Sequence, residues 1–190
     1  FVEFDFINVG PVDFESETTI ENAIFTSQNA VKAIINRNLE IQNCFCVGDK
    51  TEAYLEEYGF NVLEKAYSAK KLAELIVKNH ALKNFVFFCG EKKREELPQL
   101  LRQHNIALNE VEVYRTKLTP KMMAGTFNGI MFFSPSAVES YTQKNDFEQA
   151  TAFCIGKTTE KEVKKYTNNI ITANKPTIEN VIVQVVKYFK

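Results

Sequence analysis

Hydroxyl-bearing and small polar residues recur in this chain wherever a short apolar run gives way to an amphipathic stretch. The junctions are Thr26-Ser27, Asp49 to Thr51 and Gly90 to Arg94, then Ser134 to Ser136, Lys157 to Thr159, and Thr177. If the runs are strands and the stretches helices, these residues lie at the carboxyl ends of strands, where open α/β sheets bind ligands. Helix N-termini carry free N–H groups that attract anions, and hydroxyls add donors without formal charge. The same Ser and Thr residues also serve as ordinary N-caps. Taken together, the junctions suit a large ligand bearing several negative charges.

Catalytic constellations are otherwise thin. The sequence contains no GxGxxG, P-loop, GxSxG or HExxH motif. His80 and His104 fall at the ends of helical stretches, where capping is their expected role. The basic run Lys92-Lys93-Arg94 opens an expected helix after Phe87-Phe88-Cys89-Gly90, a place for anion contact. Tyr114 lies on an alternating strand, so its phenol is able to project into a cleft or to pack. Cys44, Cys46, Cys89 and Cys154 form no CxxC pair and sit in apolar runs, as buried thiols of a reduced cytosolic protein do. With two histidines besides, no zinc site is expected. Lys and Arg total 23 against 24 Asp and Glu, a formal net charge of −1, which argues against nucleic-acid binding by bulk charge. No run approaches the length of a membrane span, and no signal peptide is visible.

The elements that must position these groups follow a βα pattern. Strands are expected over Phe1–Val9, Asn22–Thr26, Asn43–Val47, Phe60–Leu63, Asn84–Cys89, Ala107–Arg115, Gly129–Phe133, Thr151–Ile155 and Asn169–Thr172. Helices are expected over Gln28–Arg37, Lys50–Tyr58, Ala69–Asn79, Glu95–His104, Pro135–Gln143, Thr159–Tyr166 and Ile178–Phe189. Asp49 with Glu52 reads as a capping box, Gly59 as a C′ residue, and Ser134-Pro135 as an N-cap followed by proline at N1.

An internal repeat organises the chain. Ile24–Val31 (IFTSQNAV) matches Met131–Val138 (MFFSPSAV) at an offset of 107, and Phe45–Glu52 (FCVGDKTE) matches Phe153–Glu160 (FCIGKTTE) at an offset of 108. Ser68 stands over Thr177, each before an amphipathic helix. The first copy continues through Asn84–Leu118, whereas the second ends after its last helix. Phe1–Val9 resembles Glu110–Leu118, so the second copy is expected to be discontinuous and completed from the N-terminus. The expected division is an inserted α/β domain over 8–113 and a discontinuous one over 1–7 plus 114–190, whose first strand and helix would precede Phe1.

The motifs resemble those of uroporphyrinogen-III synthases. They are [I/V]FTSxxAV at Ile24–Val31, VGxxT at Val47–Thr51, CGxxxRxxLP at Cys89–Pro98, VYxT at Val113–Thr116, FFSPSxV at Phe132–Val138 and IGxTT at Ile155–Thr159. Each alone is weak, but six in order span nearly the whole chain. The resemblance implies two similar parallel-sheet α/β domains joined by a two-stranded β linker, the first-written domain inserted into the second. It also implies the linear tetrapyrrole hydroxymethylbilane as substrate, inversion of one pyrrole ring on closure, and no metal or cofactor. Binding positions carried over are Thr26, Ser27, Thr51, Tyr114, Ser134, Ser136, Thr158 and Thr159, with Asn29 standing where some relatives have arginine. Gly90, Arg94 and Thr177 join them from the junction pattern. Tyr114 is the expected hydrogen-bond donor or acid for the departing hydroxyl, with Thr159 assisting. A cytoplasmic monomer whose two strand-end edges address a shared crevice is expected, with no nucleic-acid or membrane partner. The alternative is a non-catalytic, two-lobed polyanion-binding protein.

Overall fold

The computed structural model describes residues 2–190. The chain divides into two compact units, one of Val9–Thr116 and one of the residues up to Asn8 with Lys117–Lys190.

In chain order the first part runs β1 (Ile7–Pro11), β2 (Thr19–Phe25), α1 (Gln28–Ile34), β3 (Glu40–Val47), α2 (Asp49–Glu57), β4 (Val62–Ala66), α3 (Ala69–Asn79), β5 (Phe85–Gly90), α4 (Glu96–Gln103) and β6 (Leu108–Leu118). These strands form one sheet in the order β1-β6-β5-β2-β3-β4, parallel from β6 through β4. The chain winds from β2 out to β4, then returns to place β5 on the other side of β2. The topological switch point therefore lies between β2 and β5.

Alternation along the strands feeds two cores. Ala23, Phe25, Cys44, Cys46 and Phe88 pack with Ala30, Val31 and Ile34 of α1 and Leu55 of α2. Ile24, Phe45, Phe85, Phe87 and Cys89 pack on the other face with Leu72 and Ile76 of α3 and Leu97 and Leu101 of α4. Strands covered on both faces are apolar, so β5 and the Cys44–Val47 half of β3 read as continuous hydrophobic runs rather than alternating ones.

The other unit contains β7 (Gly129–Phe132), α5 (Pro135–Tyr141), β8 (Thr151–Cys154), α6 (Lys157–Val163), β9 (Ile170–Thr172) and α7 (Ile178–Tyr188). Its parallel sheet runs β7-β8-β9. Phe132, Ala152 and Cys154 pack with Val138, Tyr141 and Val163, while Phe153 packs with Val181 and Val185 of α7. The cross-strand pair Phe25 with Cys46 recurs as Phe132 with Cys154, which is the alignment the sequence repeat gives. Fold class is thus mixed α/β with predominantly parallel sheets.

Three local expectations are corrected. The first strand begins at Ile7 rather than at Phe1, and Phe1 itself lies outside the described residues. The capping box does not form: Gly48 is the N-cap of α2, with Asp49 and Glu52 both inside the first turn and both paired with Lys65. Lys92-Lys93-Arg94 precedes α4, whose N-cap is Glu95, instead of opening it, and Lys93 pairs with Glu95 and Glu110. Gly59, at φ 80°, does end α2. Its N–H donates to the Glu56 carbonyl and that of Phe60 to the Leu55 carbonyl, closing a Schellman motif. Among the described residues no helix is long and apolar enough to cross a membrane.

Candidate functional site

The carboxyl ends of β2, β3 and β5 bring most of the predicted residues of Val9–Thr116 to one edge. Thr26 and Ser27 follow β2, Thr51 lies in the first turn of α2 after β3, and Gly90 ends β5. Ser27 caps α1, its Oγ accepting from the Asn29 N–H at 3.1 Å, which leaves the hydroxyl proton free to donate elsewhere. Gln28 ties two junctions together, its Nε2 donating to the Lys50 carbonyl at 2.7 Å. Thr51 is buried at 5% exposure.

Tyr114 reaches this edge because of a glycine. In the β5–β6 pairing Gly90 is opposite Tyr114, and a Cβ built on Gly90 would stand 2.5 Å from Tyr114 Cζ and 2.9 Å from its Oη. The absent side chain is the space that the phenol occupies. The half-buried Tyr114 also lines a cavity of about 70 Å³ with Val9, Gly10, Pro11, Asn29, Lys32 and Ala33. Asn29 and Tyr114 are therefore brought together. Arg94 is exposed and does not line this cavity. Gly10, Pro11 and Lys32 escaped the sequence reading. The spacing of Asn29 and Lys32, three apart on α1, was the available signal for Lys32.

In the second unit the same positions recur at the ends of β7, β8 and β9. Ser134 caps α5, with Oγ accepting from the Ala137 N–H at 3.1 Å, and Ser136 follows in its first turn. Thr158 and Thr159 occupy the first turn of α6, Thr158 exposed and Thr159 buried at 2% exposure. Thr177 caps α7, its Oγ1 accepting from the Asn180 N–H at 3.3 Å. Thr51 and Thr159, matched in the repeat, thus share a helical position and burial. A separate cavity of about 180 Å³ lies among Met123, Ile130, Tyr141, Asn145 and Phe147, and no predicted site residue lines it.

The electrostatics favour binding over nucleophilic chemistry. Burial pushes the thiols of Cys44, Cys46 and Cys154 up to about 12 and that of Cys89 to about 11. Cys89 therefore stays a neutral thiol beside the Tyr114 edge, and its Sγ lies 3.6 Å from the Val111 carbonyl. Of the basic run, Lys93 is neutralised by Glu95 and Glu110, which also holds Arg102. Uncharged donors predominate on both edges, suited to holding carboxylates and to a single hydrogen bond from a phenol.

A family model described as uroporphyrinogen-III synthase HemD matches residues 10–182. The porphyrin biosynthesis protein HemD of Ruminiclostridium josui is 27% identical over 154 residues, which is 72% of this chain and 30% of that protein. The chain thus spans about a third of that relative's length. Among solved structures, uroporphyrinogen-III synthetase from Helicobacter pylori 26695 is similar with a TM-score of 0.81 at 20% identity, covering 96% of this chain and 91% of that one. A mutant uroporphyrinogen III synthase from Thermus thermophilus is similar with a TM-score of 0.63 at 12% identity, covering 97% of this chain and 87% of that one. At these identities the structural likeness carries the fold.

Proposed function

The chain belongs to the uroporphyrinogen-III synthase HemD family, and from that premise we propose that it cyclises hydroxymethylbilane to uroporphyrinogen III, inverting ring D with loss of water. The observation that carries the reading is the Tyr114 phenol, seated over Gly90 at a donor-rich sheet edge beside Asn29.

The reaction needs few titratable groups. A pyrrole nitrogen lone pair expels the terminal hydroxyl, leaving an electrophilic azafulvene. The substituted carbon of ring D attacks it, and fragmentation and reclosure of the resulting spiro intermediate invert the ring. Tyr114 hydrogen-bonds or protonates the departing hydroxyl, with Thr159 assisting, so that the leaving group departs as water. Thr26, Ser27, Asn29, Thr51, Gly90 and Arg94 hold substrate carboxylates from one unit. Ser134, Ser136, Thr158 and Thr177 do so from the other. Because the bilane also closes without inversion, the enzyme's contribution is largely positional.

The finer architecture proposed is an inserted domain over 8–113 and a discontinuous one over 1–7 plus 114–190, linked through β1 and β6. It is supported by the compact division near the same positions and by the repeat. A monomer in the cytoplasm that needs no nucleic acid, metal or cofactor completes the proposal. Its support is the near-neutral charge and the scarcity of histidine.

The test is to add freshly generated hydroxymethylbilane and resolve the products. Type III isomer formed faster than spontaneous closure supports the reading. Type I isomer at the spontaneous rate overturns it and leaves the polyanion-binding alternative.

A further inference from the structure

Lys32 is the one charged residue lining the Tyr114 cavity. It is exposed, and its Nζ lies 5.7 Å from the centre of the Tyr54 ring. Among the described residues it forms no ion pair, whereas in the same unit Arg37 pairs with Asp13, Lys65 with Asp49 and Glu52, Lys93 with Glu95 and Glu110, and Arg115 with Glu112. Lys32 and Asn29 are three residues apart on α1, so both lie on one face of the helix. The cavity between them and Tyr114, about 70 Å³, has room for a carboxylate.

We propose that Lys32 is a substrate-binding residue. Its ammonium, together with the Asn29 amide, takes one side-chain carboxylate of the tetrapyrrole and so fixes the end of the substrate nearest Tyr114. The inference rests on the synthase reading and adds to it the only formal charge at this cavity. An ammonium kept without a protein carboxylate and resting on an aromatic face is available to a ligand, because the ring attracts it without neutralising it. Its contribution belongs to ground-state and transition-state binding alike, since the carboxylate it holds takes no part in bond making. It therefore governs KM and not kcat.

The test uses the full chain and its Lys32→Gln and Lys32→Arg variants, with two readouts. The first is initial rates on hydroxymethylbilane with isomers resolved. The second is equilibrium binding of uroporphyrin III, a stable octacarboxylate, at several salt concentrations. Lys32→Gln is expected to raise KM and the uroporphyrin dissociation constant about fivefold, as befits a partly exposed ion pair. Its kcat and type III fraction are retained, and the salt dependence of binding becomes shallower. Lys32→Arg is expected to restore both constants. Unchanged constants in Lys32→Gln would overturn the inference, as would Lys32→Arg behaving like Lys32→Gln, because the role would then not be one of charge. If the unsubstituted chain makes only type I product while Lys32→Gln still weakens uroporphyrin binding, the synthase reading falls and the carboxylate site stands.

Discussion

The two copies of the repeat share their parts but not their surroundings. In one, β2-β3-β4 continues into β5 and α4, and Ala73 of α3 is fully buried in a cluster with Leu97 and Leu101 of α4. In the other, the sheet of the described residues is β7-β8-β9, and Ile182, which the repeat places at the position of Ala73, is 41% exposed on α7. Both copies nevertheless present a serine cap after the first strand and a buried threonine in the first turn after the second. The donor edge is thus a local property of strand, cap and helix, whereas the depth of each core depends on what packs from further along the chain.

The largest contrast should appear when matched core phenylalanines are removed. Phe45 meets Phe85 and His80 edge-on, while Phe153 is covered by Tyr188 and Phe189, each 49% exposed. Phe45→Ala should cost about 4–5 kcal/mol and Phe153→Ala about 3 kcal/mol, read by urea denaturation followed separately in each unit. Equal costs would mean that the exposed partners of Phe153 enclose it as well as buried ones do.

Next in size is the glycine that seats the Tyr114 phenol. Gly90→Ala must displace the Tyr114 ring, whose far end can swing aside. Turnover should fall about 10²-fold while the unfolding midpoint changes little, since a small misplacement of a positioned group is costly to rate. Retained turnover would remove the phenol from the reaction.

The smallest effect expected is on alkaline stability. Folded thiols are raised to about 12 at Cys44, Cys46 and Cys154 and to about 11 at Cys89, by burial first, whereas ordinary thiols ionise near 9.0. The unfolded chain therefore loses protons before the folded one. The thiol contribution is intact below pH 9.0 and is lost as pH rises toward 11 and 12. Cys44, Cys46 and Cys89 belong to one unit and Cys154 to the other, so the three-thiol unit should lose more stability over that range. Denaturation midpoints between pH 8 and pH 10.5 would show this, and equal losses would contradict it.

Much of this was legible in the sequence because it is local. Ser134-Pro135 and Thr177 cap the helices they announce, Gly59 ends α2, and α3 spans Ala69–Asn79 as its apolar spacing requires. The repeat carried the register between neighbouring strands. What escaped was set by tertiary partners. Glu52 pairs with Lys65 on β4 instead of closing a capping box, and Lys93 of the basic run pairs with Glu110 on β6. The seat of Tyr114 over Gly90 depends on the pairing of β5 with β6, and the cavity adds walls from β1 that no motif marked.

The central proposal is that the matched donors of both copies serve the synthase reaction, and the most direct test compares Thr51→Val with Thr159→Val in the isomer-resolved assay on hydroxymethylbilane. The account predicts that both variants stay folded and that each slows type III formation relative to the unsubstituted chain. A type III rate unchanged in either variant would contradict it, because one copy's edge would then stand apart from the reaction.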